Sequence, residues 1–190
     1  MRQSLLDVAS SQSGYFSAAQ ALEAGYSYQA QRHNVNQGNW TRVDRGIFRL
    51  PEWPVGRHED LARWTLWSRN QSVASHATAL AMHELGDVNP ARVHLTVPAG
   101  FRKKSPSVVL HKGALAREDV EGWEGFSVTT PMRSILDSAS DGIEIDQLSR
   151  VIEDALERGL VTKRSLRTRA DSFGPSAALA IERALTEAAG

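Results

Sequence analysis

The residues Tyr28-Gln29-Ala30-Gln31-Arg32-His33-Asn34-Val35-Asn36-Gln37 carry the side chains best suited to chemistry with a partner molecule. Only Ala30 and Val35 among them are aliphatic, and amides with one arginine make up most of the rest. An arginine can grip guanine through two hydrogen bonds, and Asn or Gln can do the same to adenine. A helix bearing such a set has the donors that reading of base edges in a major groove requires. Any solvent-facing helix is also polar, so composition alone leaves that second reading open. Beyond this run, Arg42, Arg45 and Arg49 flank a tight turn, where they suit phosphate contacts or merely a solvated hairpin face.

The six histidines invite a metal hypothesis. His76 and His83 stand seven apart on a predicted helix, which separates them by ~10.5 Å along its axis. One ion with ligands ~2 Å away cannot take both. His94 and His111 fall on predicted strands and can approach them, but no carboxylate pair at metal spacing accompanies them. The expectation is a hydrogen-bonded core or groove element, with no metal and no cofactor. Thr129, Thr130, Arg133 and Asp137 look reactive on paper. Yet Thr-Thr-Pro before a helix is first a capping arrangement, and Arg133 with Asp137 at i, i+4 is first an ion pair. There is no cysteine, which excludes a disulfide framework, thiol catalysis and cysteine-ligated zinc fingers. No catalytic residue is assigned; a metal-dependent nuclease ranks third among the functional readings.

The elements that must position these residues follow from spacing and caps. Leu5, Leu6 and Val8 support a first helix over Ser4–Ser10. Ser17 caps a second through Leu22, and Ala24-Gly25 breaks it. Ser27 caps a third through Gln37, with Gly38 following. Strands at 39–43 and 47–50 close on Asp44-Arg45-Gly46, a turn suited to a bulged hairpin. Helix, helix, turn, helix, hairpin is the order of a winged helix-turn-helix. Its expected core is Leu5, Leu6, Val8, Phe16, Leu22, Val35, Trp40, Ile47 and Phe48. Pro51–Gly56 reads as a linker, giving domains 1–55 and 56–190. The second part is expected to hold helices over Glu59–Ser68, Val73–Leu85, Pro131–Ala139, Asp146–Arg158, Lys163–Ala170 and Ser176–Ala188. Strands are expected at Arg92–Val97, Ser107–Lys112 and Phe126–Val128. The fold class is therefore α+β, a winged helix followed by a mixed domain with a small sheet.

Composition sets outer bounds. Hydrophobic residues are 41% and charged residues 23% of 190, as in an ordinary globule. No run approaches the ~18 apolar residues of a membrane span, and the N-terminal residues have no long apolar run, so neither a signal peptide nor a membrane partner is expected. The net charge is zero, but the charges are polarised. Arg32, Arg42, Arg45, Arg49 and Arg57 face only Asp44 and Glu52 between Tyr28 and Arg57. Arg102, Lys103, Lys104, Lys112 and Arg117 follow without an acid between Pro98 and Arg117, and acids gather between Asp141 and Glu157. A polarised chain can offer one face to phosphates and another to a protein. Arg102, Lys103 and Lys104 have three readings: a second phosphate contact, a surface for a protein partner, or a solvated loop.

The motifs Ala24-Gly25-Tyr26-Ser27, Gly38-Asn39-Trp40 and Arg45-Gly46-Ile47-Phe48-Arg49-Leu50-Pro51 resemble the N-terminal domain of AbiEi-type antitoxins of bacterial type IV toxin–antitoxin systems. The likeness runs on through Ala74–Leu80, His83–Gly86, Val93–Pro98, Val128–Asp137 and Ala155–Thr162. It implies a cytoplasmic winged-helix repressor of its own operon, with double-stranded operator DNA as one partner. The other partner would be a nucleotidyltransferase-like toxin, neutralised by the C-terminal part; the oligomeric state stays open. An orphan regulator without a toxin is the alternative. Gln31 and Asn34 depart from the leucines expected on the inner face of the third helix. The DNA-contacting set is Ser27, Tyr28, Gln29, Gln31, Arg32, Asn36, Arg42, Arg45 and Arg49.

Overall fold

The computed structural model describes residues 2–56 and 58–187. Arg57, counted among the basic residues, and Ala188, the expected end of the last helix, lie outside the described residues. The chain divides into two compact units. The first runs to Ser72 and includes Gly122–Ser127; the second holds Val73–Glu121 and the residues from Val128 onward. The division falls at Ser72/Val73 rather than at Pro51–Gly56, because the helix after the proline segment groups with the first unit.

The first unit opens with α1 (Arg2–Ser10), β1 (Tyr15–Ser17), α2 (Ala18–Glu23) and α3 (Tyr28–Asn36). The hairpin β2 (Thr41–Asp44) and β3 (Ile47–Arg49) follows, then α4 (Glu59–Trp67). Ser17 caps α2 in a reciprocal box with Gln20, and Ser27 accepts from the Ala30 amide at the start of α3. The sheet order is β1-β3-β2, antiparallel throughout, with the register shift between Arg42 and Asp44 that a bulged turn produces. Gly46, at φ +71°, supplies the left-handed residue this turn needs. This is a winged helix-turn-helix. β1 was not expected: three residues carry no readable alternation, and only pairing with β3 makes them a strand.

The core of this unit is aromatic. Phe16 meets Trp40 edge-on at 4.8 Å between ring centroids, and Trp40 lies 5.0 Å from Tyr26 and 5.6 Å from Phe48. Leu5, Ala9, Ala21, Ala24 and Leu50 complete it. Leu22 was expected inside but is 37% exposed. On so short a helix, successive residues point ~100° apart, and α2 turns the small Ala21 inward.

The second unit begins with β4 (Val73–Ala74) and α5 (His76–Met82), then β5 (Val93–Val97) and β6 (Val108–Lys112). After them come β7 (Val120–Trp123), β8 (Phe126–Thr129), α6 (Pro131–Ser140), α7 (Ile145–Glu157), α8 (Lys163–Phe173) and α9 (Pro175–Glu187). The sheet order is β6-β5-β4-β8-β7, with the β7–β8 turn belonging to the first unit. The helix expected over Val73–Leu85 is thus shorter. Its first residues are a strand, antiparallel to β5 (Ala74 opposite Leu95) and parallel to β8 (Ala74 opposite Val128). A two-residue strand leaves no periodicity to read.

Behind this sheet α5, α6, α7, α8 and α9 share one apolar cluster including Leu80, Leu85, Ile135, Leu136, Leu148, Ile152, Leu166 and Ile181. The stripe Leu148, Val151, Ile152 and Ala155 on α7 is fully buried, as its spacing requires. Thr130 caps α6 and Arg133 pairs with Asp137 at 2.9 Å, the structural roles their spacing suggested. Arg133 and Arg169 also reach the buried Asp119, at 2.9 and 2.7 Å. No helix among the described residues is long and apolar enough to cross a membrane.

Candidate nucleic-acid interface and histidine cluster

α3 shows two different faces. Outward, Tyr28, Gln29, Arg32, His33 and Asn36 are exposed, Tyr28 by 70%. Gln29, Arg32 and Asn36 recur at i, i+3 and i+7, so they lie along one side of the helix. Inward, Gln31 is 3% exposed. Its Nε2 donates to Ala18 O at 3.1 Å and to Tyr26 O at 3.0 Å. Gln31 was expected to meet DNA; instead its amide fastens α3 to the start of α2, and both of its donors are used internally. Asn34 donates to Ala30 O at 2.9 Å and accepts from Asn39 Nδ2 at 3.1 Å, which ties the end of α3 to the loop before β2. The two amides at the inner positions therefore replace leucine packing with satisfied hydrogen bonds.

Tyr28, Arg32, Asn36 and Arg42 line one open cleft of about 450 Å³ between α3 and the hairpin. Val35 and Phe48 lie on its walls. Arg45, at the exposed hairpin tip, has a backbone amide fixed by Asp44 Oδ1 at 2.6 Å. Neither the Arg32 nor the Arg45 guanidinium is engaged by another described residue, so both are free for an anionic ligand. Ser27 is exposed and its oxygen is occupied by capping α3.

Arg49 is not part of this surface. Its Nη2 donates to Glu59 Oε2 at 2.8 Å, Trp53 O at 2.9 Å and Pro54 O at 3.3 Å, and its guanidinium lies 5.6 Å from the Tyr15 ring centroid. A charge spacing of Arg42, Arg45 and Arg49 cannot reveal this, because Glu59 arrives from α4. Arg102, Lys103 and Lys104 are exposed between β5 and β6, on the second unit.

A second polar constellation lies within the second unit. His94 and His111 stand on neighbouring parallel strands, with Thr96 opposite His111. His111 stacks on His76 with ring centroids 3.4 Å apart. His94 Nδ1 is 3.0 Å from His111 Nε2, and His76 Nδ1 is 2.9 Å from Ser75 Oγ. Burial and the neighbouring imidazoles hold His76 far below its usual range, at about 3. Burial also lowers His94 and His111, against the opposing pull of the Asp141 carboxylate. His83 is apart from the trio, its Nε2 2.8 Å from Thr129 O. Ligand atoms of His76, His111 and Asp141 lie within 4.8 Å of one another. The sequence offered His76, His94 and His111 but not Asp141, which reaches the group only by way of the α6 C-terminus.

Comparison with known proteins agrees with the first unit's architecture. Residues 3–51 match the family of transcriptional regulators described as the AbiEi antitoxin. That is a regulator family and not a family of enzymes. The chain is similar in fold to the solved RV2827C protein from Mycobacterium tuberculosis, with a TM-score of 0.59 and 14% identity over 98% of this chain and 80% of that one. None of the curated proteins matches it.

Proposed function

We propose, from the match of residues 3–51 to the AbiEi antitoxin regulator family, that the chain is a cytoplasmic, sequence-specific repressor of its own operon. The carrying observation is the α3 surface, where exposed Gln29, Arg32 and Asn36 stand beside the Arg42 cleft. In this reading α3 enters the major groove, Arg32 reads a guanine, and Gln29 or Asn36 reads an adjacent base. Arg42 and Arg45 hold phosphates and fix the register. The test is a titration of the intact protein against DNA from its own promoter, with a scrambled duplex at the same salt concentration. Tighter binding to the promoter, lost in Arg32→Ala, is expected; equal binding to both duplexes rejects base reading.

The second unit is assigned the antitoxin role, neutralising a nucleotidyltransferase-like toxin. Arg102, Lys103 and Lys104, or the acidic side of α7, would form the contact. Supporting this, the likeness in motifs extends well past residue 51. An orphan regulator is the competing reading, favoured by the family match ending at Pro51. Co-expression with a nucleotidyltransferase encoded next to this gene separates them: rescued growth supports the antitoxin, and unrelieved toxicity supports the orphan.

A further inference from the structure

We propose that His76, His111 and Asp141 form a binding site for a divalent transition-metal ion of the zinc type, with His94 as the residue that orients His111. The three ligands come from the start of α5, from β6 and from the end of α6. Their donor atoms already lie within 4.8 Å of one another. Nitrogen and oxygen donors ~2.0–2.2 Å from one tetrahedral ion stand about 3.3 Å apart, so side-chain rotation must draw the donors closer by up to about 1.5 Å to complete the set. The donor types are two imidazoles and one carboxylate, which suit zinc-like ions and not magnesium or calcium, whose shells are built from oxygen.

Two features favour an ion over a mere stack of rings, and a third accompanies them. Asp141 is exposed, and its carboxylate makes no hydrogen bond or ion pair with any described residue. It lies beside imidazoles whose other nitrogens, His76 Nε2 and His111 Nδ1, also have no partner among the described residues. The second feature is an outer layer of hydrogen bonds of the kind that orients metal-binding histidines. Ser75 Oγ, 2.9 Å from His76 Nδ1, accepts from Thr96 Oγ1 at 2.8 Å, and His94 Nδ1 sits 3.0 Å from His111 Nε2. The third is backbone strain. His76 has φ +52°, a left-handed conformation that costs a β-carbon residue stability and that it shares with Ser13, Arg69, Asn70, Glu84 and Asp87, so it accompanies the site without identifying it.

The stack itself sets a condition. With the His76 and His111 rings 14° from parallel, their in-plane lone pairs run side by side. An ion shared by both must turn one ring out of the stack toward Asp141. Binding therefore changes the ring environment as well as the ligands, and it pins β6 and the α6 C-terminus to the start of α5.

The experiment uses the full-length, tag-free protein, stripped with chelator and titrated with Co2+ and then Zn2+. One equivalent of Co2+ with visible d–d absorption, displaced by Zn2+, is expected, together with a rise in the melting temperature. Asp141→Asn is the decisive variant, because that exposed side chain makes no hydrogen bond within the protein whose loss would disturb the fold. His94→Ala should keep the Co2+ absorption but bind about 10–100-fold more weakly, as loss of an outer hydrogen-bond partner does. Asp141→Asn should exceed that loss, with circular dichroism unchanged. No stoichiometric Co2+ uptake by wild type, or uptake by Asp141→Asn equal to wild type, overturns the site. His111 ring resonances unmoved by Zn2+ would overturn it as well.

Discussion

At the scale of single residues, neighbours on α3 divide between recognition and construction. Arg32 points to solvent, and its replacement by alanine should weaken promoter binding by ~1–3 kcal/mol while leaving the fold intact. Gln31, one position earlier, should do the reverse. Gln31→Ala removes two donors, which takes a hydrogen bond from each of the Ala18 and Tyr26 carbonyls and should cost about 1–3 kcal/mol of stability, read by urea unfolding. Its effect on DNA affinity should vanish once corrected for the folded fraction. Arg45 supplies a third contrast. As a phosphate contact, Arg45→Ala should weaken all duplexes alike and lower the salt slope by about one. A change in the preferred sequence would instead make the hairpin a reader of bases.

Elements are held in place by contacts that cross the chain. Gly86 ends the α5 segment at φ +65°, where an added Cβ would collide with Val151 Cγ2 and come within 2.9 Å of the Val151 nitrogen. Its amide donates to Asp154 Oδ2 at 2.7 Å, and Arg158 Nη1 donates to His83 O at 2.6 Å. So the polar side of α7, which its composition leaves to solvent, is partly committed to fastening α5. Gly86→Ala should combine a left-handed penalty of ~1–2 kcal/mol with overpacking of ~1–3 kcal/mol. A fall in the urea midpoint with an unchanged slope is the expected readout. Gly38→Ala, where a Cβ meets open space but φ is +74°, should show the backbone penalty alone.

For the whole molecule the division at Ser72 changes which fragments are worth making. Cutting at Gly56 would part Arg49 from Glu59, its partner at 2.8 Å, and would strip α4 from β1 and β3. Residues 1–56 should therefore unfold at lower urea than residues 1–72, measured by tryptophan fluorescence. If neutralisation resides in the second unit, residues 73–190 should rescue cells from the toxin and fail to bind the promoter, while residues 1–72 should not rescue. Growth restored by 1–72, or lost with a folded 73–190, would reassign that role.

The winged helix was legible in the sequence because its signals are local: Ser17 and Ser27 as caps, Gly25 and Gly38 as stops, and a bulged turn at Gly46. The α7 stripe was legible for the same reason, since its period needs no partner to be seen. Tertiary structure decided what depends on residues distant in the chain. Gln31 is inside because Ala18 and Tyr26 offer carbonyls there, and Arg49 is engaged because Glu59 arrives ten residues later. β1 and β4 exist only as pairings, and His76, His111 and Asp141 converge only once a sheet and two helices, α5 and α6, have formed. Short-range propensity writes the elements into the sequence; which polar group meets which is settled by packing that brings separate elements within hydrogen-bond reach.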